Sequence, residues 1–75
     1  MADVRMIFFF EQRGRYVRCE LLPLPDGGSE LIVTAPEGEQ TVEILEDSAD
    51  VTRRMSELRQ SFQSAGWWGP VGREI

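Results

Sequence analysis

The side chains that could do chemistry are few in this sequence. Histidine is absent, so no serine–histidine or cysteine–histidine pair can form and no histidine can ligate a metal. The single cysteine, Cys19, stands between Val17 and Leu21 in an alternating apolar stretch, where a thiol is an inert core group. One cysteine also rules out an intramolecular disulfide. Glu46, Asp47 and Asp50 could gather round a hard cation, but a helix start explains the same residues and no calcium-loop spacing is present. Asp26-Gly27-Gly28 is not a phosphate loop, since no helix follows it and the chain has no lysine. These residues predict a protein that is not an enzyme and takes no cofactor or metal.

Aromatic and arginine side chains are the remaining source of function. Phe9, Tyr16 and Trp68 could stack bases, with Arg5, Arg15 and Arg18 on phosphates. Charge argues against that use. The chain carries 13 acidic residues against 8 arginines, a net charge of −5. Residues 19–50 hold nine of the acidic residues and no arginine, so half of any sheet built from them repels phosphate. Basic ends around an acidic middle also fit a fold that pairs its own charges.

The elements that must position these groups can be read in turn. Seventy-five residues allow one domain, 1–75. Arg13-Gly14 makes a two-residue hairpin loop, which sets Phe10 against Val17, Phe8 against Cys19 and Met6 against Leu21 on one apolar face. Arg5, Ile7, Phe9, Glu11, Tyr16, Arg18, Glu20 and Leu22 take the other face. A second two-residue loop at Glu37-Gly38 would set Val33 against Val42 and Leu31 against Ile44 on the inner face. Ile32, Glu43 and Leu45 would then face outward. Pro23 to Ser29 is a loop of strong turn formers. Asp47 or Ser48 caps a helix over residues 48–65, whose stripe of Val51, Met55, Leu58 and Phe62 recurs at spacings of four, three and four. Gly66 ends it, and residues 66–75 form a tail. One tryptophan of the tail is expected to pack on the helix end or across the sheet margin, leaving the other for binding; the alternative is that both rings fill the core.

The expected fold is α+β: a four-stranded antiparallel β-meander followed by one C-terminal α-helix packed on one sheet face. Its core would be Met6, Phe8, Phe10, Val17, Cys19, Leu21, Leu31, Val33, Val42, Ile44, Val51, Met55, Leu58 and Phe62. The Glu11–Glu20 hairpin and the Gly66-Trp67-Trp68-Gly69-Pro70-Val71-Gly72 tail resemble those of a family of small, uncharacterised bacterial proteins, a resemblance that implies no activity. Four strands and a helix also resemble, in topology alone, the single-strand-binding transcriptional coactivators and Whirly proteins.

One helix covers one face, so the other should be polar if merely solvated. It is instead rich in large apolar residues. The candidate interaction surface is Arg5, Ile7, Phe9, Tyr16, Arg18, Leu22, Ile32 and Leu45, with Trp67 and Trp68. The function expected is a small non-catalytic interaction module, self-associating as a homodimer or binding another protein through that face. The alternative is a single-stranded nucleic-acid binder. Met6 to Phe10, the longest apolar run, is too short to cross a membrane or to serve as an export signal, and cytoplasmic localisation is expected.

Overall fold

The structure is a computed structural model and describes residues 5–74. Five strands and a helix follow in the order β1 (Met6–Gln12), β2 (Arg15–Pro23), β3 (Ser29–Thr34), β4 (Gln40–Leu45), α1 (Ser48–Ser64) and β5 (Trp68–Glu74). All strand pairings are antiparallel, in one sheet of order β4-β3-β2-β1-β5. The α+β meander with one helix packed after it is the fold the sequence predicts; β5 is an addition to it.

The first hairpin has the predicted register, Met6 with Leu21, Phe8 with Cys19 and Phe10 with Val17. Arg13 and Gly14 both have positive φ, at 54° and 78°. That primed-turn geometry matches the right-handed twist of the strands it joins.

The second hairpin differs by one residue. Val33 pairs with Thr41 and Leu31 with Glu43, not with Val42 and Ile44. The loop has three residues, because Ala35 N–H donates to Glu39 O at 2.8 Å and Gly38 N–H to Ala35 O at 2.8 Å. Gly38 takes a φ of 101°, the left-handed position that closes a three-residue loop. A slip of one turns every side chain of β4 over. Leu45 is therefore buried beside Leu31 and Leu58 on the helix side, while Val42 and Ile44 are 56% and 58% exposed on the other face. These three positions correct the sequence expectation.

The core lies between the sheet and α1. Phe10 and Cys19 are fully buried, and Phe10 stacks on Phe62 of the helix with ring centroids 4.6 Å apart. Leu31, Leu45 and Leu58 form a second buried group, joined to the first through Val33, Met55 and Phe62. Met6, expected in this core, is 42% exposed. It borders a hollow of about 350 Å³ with Phe8, Phe10, Met55, Arg59 and Pro70.

Asp47 caps the helix, accepting from Asp50 N–H at 2.9 Å. At the other end Trp67 N–H donates to Phe62 O at 2.9 Å and Gly66 N–H to Gln63 O at 3.1 Å. These two bonds define the glycine-terminated helix end, in which the residue after the glycine packs back on the last turn. Trp67 does so, edge-on to Phe62 at 5.7 Å. The chain leaves this cap aimed along β1, and β5 pairs there with a register shift between Phe9 and Glu11.

Candidate functional site

The face away from α1 is built by strand alternation. Its rows run across the sheet as Ile44, Glu30 and Leu22; Val42, Ile32, Glu20 and Ile7; Gln40, Thr34, Arg18, Phe9 and Val71; and Tyr16, Glu11 and Trp68. Arg18 and Glu20 pair at 3.2 Å on the central strand and divide the apolar residues into two patches. One patch holds Val42, Ile44, Ile32 and Leu22. The other holds Phe9, Tyr16, Trp68 and Val71. Among the described residues, no element lies over this face. The tail does not fold across it but extends the sheet at the β1 edge.

The residues expected at this surface fall into three groups. Phe9, Tyr16, Arg18, Leu22, Ile32 and Trp68 lie on it, and Arg5 is exposed just before β1. Ile7 has the right orientation but is only 5% exposed. Leu45 and Trp67 are on the helix side, Leu45 because of the three-residue loop and Trp67 because it closes the helix end. Three exposed members escaped the sequence reading. Val42 and Ile44 depended on the length of the second loop. Val71 depended on the pairing of β5, to which a Gly-Pro step gives no local signal.

The second patch is concave. Phe9, Glu11, Tyr16, Trp68 and Val71 line a hollow of about 590 Å³. Glu11 is its carboxylate, with Tyr16 as cross-strand neighbour on one side and Trp68 on the other. Tyr16 is 54% and Trp68 67% exposed.

Elsewhere part of the charge is paired within the fold. Arg54 meets Glu43 at 2.8 Å across the helix–sheet seam, and Arg15 meets Glu37 at 3.6 Å between the two hairpin tips. Arg53 lies between Asp50 at 3.6 Å and Glu57 at 3.0 Å, and these carboxylates raise its already high pKa, the Glu57 hydrogen bond most. Burial pushes the Cys19 thiol up to about 12, so it is protonated at neutral pH. No helix among the described residues is long and apolar enough to cross a membrane. No family model, no curated protein and no solved structure matches this chain.

Proposed function

We propose that this protein is a non-catalytic interaction module of the cytoplasm that self-associates through the sheet face opposite α1. The supporting observation is the exposure on that face of Tyr16, Val42, Ile44, Trp68 and Val71, in two patches either side of the Arg18–Glu20 pair. Scattered apolar exposure is ordinary, but a grouped set on a flat sheet marks an association surface. A two-fold arrangement would bring each patch onto its counterpart and let arginine and glutamate of opposite copies meet. Burial of this kind also supplies stability that so short a chain lacks. Sedimentation at micromolar concentration tests the reading. Wild type should run as a dimer, and both Phe9→Asp and Val42→Asp as folded monomers. A folded wild-type monomer rejects self-association, and dimers in both variants place the interface elsewhere.

Single-stranded nucleic acid is the second reading, favoured by the grouping of Phe9, Tyr16 and Trp68 around one hollow. Glu11 inside it and Glu20 and Glu30 on the same face oppose phosphate. Fluorescence anisotropy with a labelled oligonucleotide at low salt should show no micromolar binding. Binding that weakens steeply with salt would reverse the ranking.

A further inference from the structure

We infer that the hollow between β1, β2 and β5 binds a weakly hydrated organic cation, an alkylated ammonium or guanidinium group. This goes beyond self-association and does not rest on it. The lining is the first reason. Three aromatic rings, Phe9, Tyr16 and Trp68, surround it with Glu11 and Val71. The face of each ring carries negative charge density and attracts a cation, most strongly where water is displaced. The rings come from three neighbouring strands and border one hollow.

The carboxylate is the second reason. Glu11 is half-buried in the row between Tyr16 and Trp68. Arg15 is held by Glu37 and Arg18 by Glu20, and among residues 5–71, whose side chains are described, none forms an ion pair with Glu11. The hollow therefore offers a formal negative charge beside three aromatic rings. An anion would meet repulsion there, and a neutral apolar molecule would leave Glu11 partly desolvated without compensation. A strongly hydrated ion such as sodium gains little from ring faces, whereas alkylated ammonium and guanidinium lose little water on entry.

Tetramethylammonium chloride and methylguanidinium chloride are the probes, titrated into the full chain at constant ionic strength against sodium chloride. The readout is the NMR shift of the Trp68 indole N–H and the Glu11 amide, with the Trp67 indole as internal control. At least one organic cation should give saturable shifts at Trp68 and Glu11 and leave Trp67 unmoved. Neopentyl alcohol, neutral and of nearly the same shape as tetramethylammonium, should not. Glu11→Gln and Trp68→Leu should each weaken binding about fivefold or more. Both positions lie at the surface, and an unchanged thermal melt confirms that the variants are folded. Absence of saturable shifts with both cations overturns the inference. So does equal binding of neopentyl alcohol, or unchanged affinity in Glu11→Gln. Self-association through this face would cover the hollow, so the titrations are run on Val42→Asp, substituted in the other patch, at a concentration where sedimentation shows a monomer; failure here and failure of self-association are then separable.

Discussion

Cys19 illustrates how a residue able to do chemistry is removed from it by its surroundings. It is fully buried in the sheet, opposite Phe8, and burial raises its pKa from 9.0 to about 12. The folded chain thus keeps the thiol proton over a range in which the unfolded chain releases it. Stability that depends on this proton is present below pH 9.0 and is lost as pH rises from 9.0 towards 12. The stability lead of wild type over Cys19→Ala should shrink across that window in urea melts at stepped pH. A constant difference would mean that the thiol is solvated. The adjacent tryptophans show the same dependence on surroundings: Trp67 closes the core against Phe62, and Trp68 is mostly exposed beside Glu11.

At the level of elements, the second hairpin decides the most. Its three-residue loop turns Leu45 inward and Ile44 outward. Leu45→Ala should cost about 2–5 kcal/mol, as truncation of a buried leucine does, and Ile44→Ala about 1 kcal/mol or less in dilute solution. Chemical denaturation of the two variants checks this, and the opposite order would restore a two-residue loop. The register also sets Glu43 against Arg54 of α1 at 2.8 Å. The helix itself follows its local code, with Asp47 as cap and Gly66 as terminator.

Across the whole molecule, β5 joins the two ends of the chain and protects an edge. It pairs with β1 along its length, and Trp67 before it seals the last helical turn. A chain ended at Gly66 would expose Phe62 and leave β1 with unpaired backbone groups. Such a chain should melt at a clearly lower temperature than wild type and aggregate during refolding, measured by circular dichroism and light scattering. An unchanged melt would show that the sheet is complete with four strands. The charge pattern is also resolved at this scale. Arg15 with Glu37 and Arg54 with Glu43 join the basic ends to the acidic middle.

The sequence by itself determined the first hairpin, because Arg13-Gly14 and strict alternation on both flanks leave one register that segregates apolar from polar residues. It determined the helix and its glycine-terminated end, since caps are local codes, but left open where a tryptophan of the tail would pack. Phe9, Tyr16, Arg18, Leu22 and Ile32 of the candidate surface followed from the same alternation. Tertiary structure alone decided the face of β4. Ile44 and Leu45 are adjacent and both apolar, so either register looks satisfactory along the strand; packing of Leu45 against Leu31 and Leu58 distinguishes them. It alone decided β5 as well. Pairing Trp68 with Glu11 joins residues far apart in the chain, a long closure that the local pattern does not signal and that uses the turn of the backbone at Gly66. The hollow exists only where β1, β2 and β5 meet, so its aromatic rings and its carboxylate had no common address in the sequence.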